Sequence, residues 1–168
     1  MNELQTFRAQ KDDFFATHPE SPLTHEQRHH FAGLDYFPES EDQRLLVELE
    51  EFPEKEQIWM QTSTGDVQPY LRYGKFNFAV DDREAQLTVY YNSHGFFLPF
   101  SDSLAGEETY PAGRYLEPDL LPDGKLLIDF NLAYNPYCAY NELYSCPLPP
   151  AENRLDVPIR AGEKIFKK

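Results

Sequence analysis

The stretch that decides the fold is Val67-Gln-Pro-Tyr-Leu-Arg-Tyr-Gly-Lys-Phe-Asn-Phe-Ala-Val80, which the turn Asp81-Asp-Arg83 joins to Ala85-Gln-Leu-Thr-Val-Tyr-Tyr91. Apolar runs separated by a short polar turn are typical of consecutive β-strands. Gly74 predicts a bend or bulge within the first run, because glycine inside a strand often marks such an irregularity. We therefore expect a sheet built around these two segments.

The same pattern of strands and turns continues on both sides of this stretch. Strands of this length and spacing favour a mostly antiparallel sheet, rolled into a sandwich or barrel. The predicted fold class is therefore mainly β, a β-rich α+β domain. The additional predicted strands are Leu45–Phe52, Ile58–Thr62, Phe96–Phe100, Thr109–Leu116 and Lys125–Leu132.

Two short helices are predicted before the first strand. Residues 3–16 place apolar side chains roughly on one face, as in an amphipathic helix. Residues 25–31 follow Thr24, which forms a capping-box pattern with Gln27 three residues later. We expect these helices to cover one opening or edge of the sheet, since exposed strand edges are usually protected.

The chain reads as one domain in two parts. Its 168 residues are enough for a single core. We expect residues 1–44 to form an N-terminal helical segment that packs on the core, and residues 45–168 to form the β-rich domain. A third short helix is predicted near residues 136–145.

The charge balance limits the classes of partner. The chain has 29 acidic and 15 basic residues and a formal net charge of −14. This argues against a nucleic acid, whose phosphates require a basic surface, and against an anionic membrane. No apolar stretch approaches the roughly 20 residues of a membrane span. With no signal-like N-terminus, we expect a cytoplasmic protein with reduced thiols; its oligomeric state stays open.

The run from Asp129 to Pro150 is the best candidate for a site, because it holds both cysteines and four tyrosines. In the predicted strand 125–132, Asp129 and Asn131 point to the same face, since side chains alternate along a strand. The alternative is a polar strand face exposed to solvent.

Asn135 and Pro136 are typical of a helix start, and they predict a helix over residues 137–145. Cys138 would then lie near unpaired amides that lower a thiol pKa and favour a nucleophilic thiolate. In such a helix Cys146 would be about 12 Å away along the axis, too far for a disulfide. The alternative is that Cys138 is a small buried apolar residue.

Short motifs in a specific order extend over nearly the whole chain, and together they resemble a prokaryotic family of domains of unknown function, numbered sixteen eighty-four in that series. The resemblance implies a single domain and no established activity. The motifs are Ser21-Pro-Leu23, Phe31–Pro38, Tyr73-Gly74, Phe97–Asp102, Gly106–Tyr110, Gly113–Leu116, Asp129–Asn131, Ala133–Tyr140, Cys146–Pro150, Glu152–Leu155 and Ala161–Lys164.

The segment His25–His29 matches the zinc-protease pattern H-E-x-x-H. We discount it, because the predicted helix is short, polar and close to the terminus, and because His25 and His29 are not part of the family pattern. We therefore predict no metal site and no cofactor.

Three hypotheses for the function remain, and they leave open whether the protein is an enzyme. The first is a domain that binds a small polar or anionic ligand near the Asp129–Cys146 segment. The second is a cysteine-dependent hydrolase or transferase that uses Cys138, with Asp129 or Glu107 for proton transfer and the amides of the predicted helix start as oxyanion donors. The third is a structural or interaction module. The predicted ligand-binding residues are Arg114, Tyr115, Asp129, Asn131, Tyr134, Asn135, Asn141 and Arg154.

Overall fold

Two helices precede the strands in the computed structural model, which describes residues 1–167. Helix α1 spans Glu3–Thr17 and α2 spans His25–His30. The predicted capping box of α2 is present, since the side chains of Thr24 and Gln27 each accept a hydrogen bond from the other's backbone amide. Within residues 1–167, neither helix is long and apolar enough to cross a lipid bilayer.

In the part of the chain that the structure describes, eight strands form two antiparallel sheets. The larger sheet has the order β2-β3-β4-β5-β6, and the smaller one has the order β1-β8-β7. The predicted fold class, mainly β with antiparallel sheets and few short helices, is confirmed. The strands are β1 (Arg44–Glu48), β2 (Glu50–Gln61), β3 (Val67–Val80), β4 (Arg83–Asn92), β5 (Gly95–Phe100), β6 (Arg114–Leu116), β7 (Asp119–Leu120) and β8 (Lys125–Asp129).

The β3–β4 hairpin is the centre of the larger sheet. Its register runs from Val80 opposite Arg83 to Leu71 opposite Tyr91, with one shift between Arg72 and Gly74. A side chain at position 74 would bring its Cβ to 2.7 Å from the backbone oxygen of Glu50. Glycine is therefore required where β2 and β3 approach each other, and the predicted bulge is confirmed.

The main core lies where the two sheets and the C-terminal segment meet. Apolar side chains that alternate along the strands fill this space, and their burial supplies most of the stability of such a fold. The fully buried members include Leu87, Leu98, Phe100, Leu126, Ile128, Val157 and Ile159.

Three predicted elements are shorter than expected, and one of them, the strand predicted at Thr109–Leu116, begins only at Arg114. Strand β8 ends at Asp129, because the side chain of Asp129 accepts the Asn131 amide and bends the chain into a 3-10 turn. The helix predicted near residues 136–145 is present only as a 3-10 turn at Tyr137–Ala139. Asn135 does not cap it, because its side-chain amide donates to the carbonyl of Lys164 at 3.0 Å instead.

Candidate functional site

Arg114 lies in β6 with a side chain that is 1% exposed. Its guanidinium donates to the backbone oxygens of Ile159 (2.9 Å), Ala161 and Glu163 (3.1 Å). Burial lowers the pKa of Arg114 to about 10, and the carboxylate of Asp102, 3.7 Å away, opposes that shift. These contacts fasten the C-terminal segment to the larger sheet.

Glu163 is a second buried charge beside Arg114. Its Oε1 accepts from the Tyr140 hydroxyl at 2.7 Å and from the Asn135 amide at 3.1 Å. Its Oε2 pairs with the ammonium group of Lys11 from α1. This cluster, which we call the C-terminal lock, consists of Asp102, Arg114, Asn135 and Glu163.

Asn135 is 2% exposed and belongs to this lock. Its Nδ2 donates to the Lys164 carbonyl and, at 3.4 Å, to the Tyr140 hydroxyl. Its Oδ1 is buried and has no hydrogen-bond partner within the described residues. The side chain is held by the protein through its nitrogen alone.

Asp129 and Asn131 contact each other, as predicted, but through a turn and not across one face of a strand. Asp129 Oδ1 accepts from the backbone and side-chain nitrogens of Asn131 at 3.0 and 2.9 Å. Arg44 donates to Asp129 Oδ2 at 3.1 Å. Asn131 also exchanges hydrogen bonds with the backbone of Ser40 at 2.8 and 2.9 Å. Both side chains therefore bind the segment that follows the N-terminal helices.

Asn141 and Arg154 lie apart from these clusters. The Asn141 side chain accepts the amide of Leu143 at 3.1 Å and so stabilises a local turn. Arg154 follows the 3-10 turn Ala151–Asn153 and is exposed to solvent. The structure thus distributes the predicted site residues over several locations.

The two cysteines are in contact, although the predicted helix would have kept them about 12 Å apart. Because only one 3-10 turn forms, the chain folds back and brings Cys146 next to Cys138. The backbone amide of Cys138 donates to Cys146 Sγ at 3.3 Å. Both are free thiols and both are buried, 5% and 7% exposed respectively. The predicted separation of the cysteines was wrong.

Hydroxyl and thiol donors surround the sulfur of Cys138. The Cys146 thiol lies beside it, and the Tyr110 hydroxyl is 3.6 Å away. The Ser63 hydroxyl supports the pair from the other side, since it accepts the Cys146 amide at 3.1 Å and donates to the Tyr144 carbonyl at 3.2 Å. The Cys146 and Tyr110 groups favour the thiolate, with Cys146 the largest cause, and they lower the pKa of Cys138 to about 6 despite burial. Donating to Cys138 and burial raise the pKa of Cys146. We call Ser63, Tyr110, Cys138 and Cys146 the thiol corner.

An aromatic cleft of about 460 Å³ lies beside the thiol corner, where the β4–β5 turn faces β6. Three polar side chains, those of Asn92, His94 and Glu117, line it together with Gly95 and Pro147. Its aromatic walls are formed by Tyr70, Phe96, Phe97, Tyr115 and Tyr134.

Tyr115 and Tyr134, two of the predicted ligand-binding residues, are brought together in this cleft. Their rings meet edge to face, with centroids 5.7 Å apart. The Tyr134 hydroxyl donates to the carboxylate of Glu117, and the Tyr115 hydroxyl donates to the backbone oxygen of Pro147. Burial raises the pKa of both phenols, so they stay neutral donors.

Sequence reasoning did not select Ser63, Tyr110, Cys146 or Glu117 as site residues. Tyr110 and Cys146 lie within the motifs quoted above, and that was the available signal for them. Ser63 and Glu117 lie outside those motifs, and their roles come from contacts between segments far apart in the chain.

The histidines of the H-E-x-x-H segment lie on exposed helix α2. The rings of His25 and His29 stack with centroids 5.8 Å apart. Across residues 1–167, no group of three or more His, Cys, Asp or Glu side chains is arranged to hold a metal ion.

Comparison with known proteins agrees with the resemblance seen in the sequence. A solution NMR structure of an uncharacterised protein from Haloarcula marismortui is similar, with 38% sequence identity and a TM-score of 0.72. The match covers 96% of this chain and 92% of that one. No curated protein matches the chain. The model of a family described as "Protein of unknown function (DUF1684)" matches residues 29–164, so the chain belongs to that family.

Proposed function

We propose that the domain binds a small polar ligand in the aromatic cleft, at the edge of the Asp129–Cys146 segment. The observation that carries this proposal is the cleft itself. It combines a volume of about 460 Å³, a continuous aromatic wall and a few polar groups, which is the usual composition of a small-molecule site. Tyr134 belongs to the segment, and Pro147 follows directly after it.

The charges around the cleft favour a ligand with a positive group. Glu117 provides a carboxylate at the rim, and no Lys or Arg is among the lining residues. Tyrosine and phenylalanine faces attract cations through their quadrupoles. Arg114, which was predicted to hold an anion, already donates to three backbone oxygens. We therefore propose an amine or quaternary ammonium ligand instead of an anionic one.

A titration followed by amide and aromatic NMR shifts tests this proposal. The probes are choline, its neutral isostere 3,3-dimethylbutan-1-ol, and inorganic phosphate. We expect choline to shift signals of cleft residues and to bind more tightly than the neutral alcohol, because only choline gains the cation–π attraction. Equal shifts from choline and the alcohol would reduce the proposal to apolar binding, and shifts from phosphate alone would overturn it.

The variant Glu117→Gln tests the role of the carboxylate. We expect it to weaken choline binding by about two- to fivefold, the strength of a partly exposed ion pair, and to leave binding of the neutral alcohol unchanged. Glu84→Gln is the matched control, because Glu84 is exposed on β4 and does not line the cleft. If both variants bind choline equally well, Glu117 does not recognise the ligand.

A structural role for the Asp129–Pro150 segment is the second candidate. It is favoured by the hydrogen bonds of this segment to other parts of the chain, such as Leu148 to Gln61 at 2.8 Å and Tyr134 to Tyr115 at 3.1 Å. If no probe shifts any signal of the cleft, the domain has no small-molecule site there, and this structural function is the better interpretation.

A further inference from the structure

We propose that Cys138 and Cys146 form a redox couple, in which a peroxide oxidises Cys138 and Cys146 then closes a reversible disulfide. This activity is independent of ligand binding in the aromatic cleft. It rests on the contact between the two thiols, on the donors around Cys138, and on the path by which a small oxidant reaches it.

The contact between the thiols comes first. Cys146 Sγ accepts the Cys138 amide at 3.3 Å, and its thiol faces Cys138 Sγ. A disulfide requires the two residues to be near neighbours in space. The loop of residues 138–146 already brings the sulfurs together, so closing the bond needs only a local adjustment.

The donors divide the roles between the two cysteines. The Cys146 thiol and the Tyr110 hydroxyl both face Cys138 Sγ, and a thiolate is the form that attacks a peroxide. Cys146 is the donor of the pair and keeps its proton. Cys138 is therefore the residue that is oxidised first, and Cys146 is the resolving thiol.

Access to Cys138 is restricted to small molecules. Both thiols are buried, yet Ser63, whose hydroxyl accepts the Cys146 amide at 3.1 Å, is exposed on the β2–β3 turn. We infer that an oxidant reaches the sulfurs past this turn, where their burial admits only a small molecule. Hydrogen peroxide meets this limit, whereas a protein disulfide does not.

The chemistry balances in two steps. The Cys138 thiolate attacks one peroxide oxygen, the O–O bond breaks, and Cys138 sulfenic acid forms while hydroxide leaves and takes up the proton that the Cys138 thiol released on ionising, which gives the first water. The Cys146 sulfur then attacks Cys138 Sγ, the S–O bond breaks, and its proton leaves with the hydroxyl group as water. Two thiols and one hydrogen peroxide thus give one disulfide and two waters, and a small thiol such as glutathione reverses the reaction by exchange.

The first test uses the unmodified protein. The fully reduced chain is treated with one equivalent of hydrogen peroxide, alkylated with N-ethylmaleimide and weighed by intact mass spectrometry without reductant. We expect a monomer that has lost two hydrogen atoms and carries no alkyl group, and that recovers both thiols after glutathione. Two alkylated cysteines, or only disulfide-linked dimers, would overturn the proposal.

Variants of Cys146 separate its two roles. In Cys146→Ser, a hydroxyl still donates to Cys138 but no disulfide can form, so dimedone should trap the sulfenic acid of Cys138. In Cys146→Ala, the donor is lost as well, and the pH midpoint of Cys138 alkylation should move up from about 6. Cys138→Ser is the control, and its Cys146 should stay reduced.

Equal alkylation profiles of the serine and alanine variants would contradict the donor role. Absence of a dimedone adduct in Cys146→Ser would contradict the role of Cys138 as the oxidised residue. If the Cys146 variants do not fold, as judged by their NMR spectra, the mass measurement on the unmodified protein decides alone.

Discussion

The C-terminal lock and the thiol corner are both built from buried polar side chains, but their hydrogen bonds end on different partners. In the lock, Arg114 and Glu163 bind mainly backbone groups of distant segments and oppositely charged side chains. In the thiol corner, the Cys146 thiol and the Tyr110 hydroxyl both face the single sulfur of Cys138. Polar groups paired with backbone hold a fold together, whereas donors aimed at one atom change the chemistry of that atom.

Removing Arg114 should give the largest effect of all. Arg114→Met leaves three carbonyls and the Asp102 carboxylate without the guanidinium, and such a loss costs roughly 3–5 kcal/mol. Urea unfolding measures the change in the free energy of unfolding. Arg154→Met, an exposed arginine in the same motif-rich half of the chain, is the control and should change stability by less than about 0.5 kcal/mol. If both variants lose the same free energy of unfolding, the buried Arg114 contributes no more to stability than an exposed arginine does.

Glu163→Gln should have a smaller effect within the same lock. The amide can still accept from Tyr140 and Asn135, but it no longer pairs with Lys11. We expect a loss of about 1–3 kcal/mol, the cost of leaving a buried charged partner unsatisfied. Glu108→Gln is the matched control, because Glu108 faces Arg160 at 3.7 Å on the surface and such pairs contribute about 0–1 kcal/mol. If both variants lose the same free energy of unfolding, the buried Glu163–Lys11 pair contributes no more than a surface ion pair does.

The parts of the fold that were predicted from the sequence depend on local signals. The β3 segment was predicted over its whole length, because its turn and its strand pattern are adjacent in sequence. The same holds for the capping box at Thr24 and the bulge at Gly74, since each is encoded by residues a few positions apart. Where local and distant partners compete, as at Asn135, the prediction of a helix start was wrong, because Lys164 and Glu163 bind that residue from the other end of the chain.

The candidate site depended on such distant contacts and was therefore predicted only in part. A lowered pKa of Cys138 was expected from helix amides, whereas its main cause is the side chain of Cys146, with a further contribution from Tyr110. Ser63 and Tyr110 approach from separate loops, and nothing in the sequence near Cys138 encodes their positions. Tyr115 and Tyr134 were selected from sequence, but the cleft that they share with Glu117 exists only once β6 and the Asp129–Cys146 segment are adjacent.

Tyr110→Phe tests whether the hydroxyl of Tyr110 lowers the pKa of Cys138 in the thiol corner. It removes one donor to Cys138 Sγ and keeps the ring, so the thiolate is less favoured and the pKa of Cys138 rises. We expect the midpoint of iodoacetamide alkylation to move up by roughly half a unit to one unit, the equivalent of one hydrogen bond. Below the midpoint alkylation slows as Cys138 is protonated, and above it the rate is constant. Tyr144→Phe, which alters a phenol at the surface, is the control, and an equal shift there would contradict a specific donor role.

Glu117→Gln in the aromatic cleft should have the smallest effect on the free energy of unfolding. This variant tests whether Glu117 stabilises the fold or contacts a ligand. Glu117 is exposed and accepts a hydrogen bond from the Tyr134 hydroxyl, and Glu117→Gln keeps an acceptor for that hydroxyl. We expect the free energy of unfolding to change by less than about 0.5 kcal/mol, while choline binding weakens as proposed above. A loss as large as that of Glu163→Gln would mean that Glu117 is part of the architecture, and the cleft would then lose its recognition group.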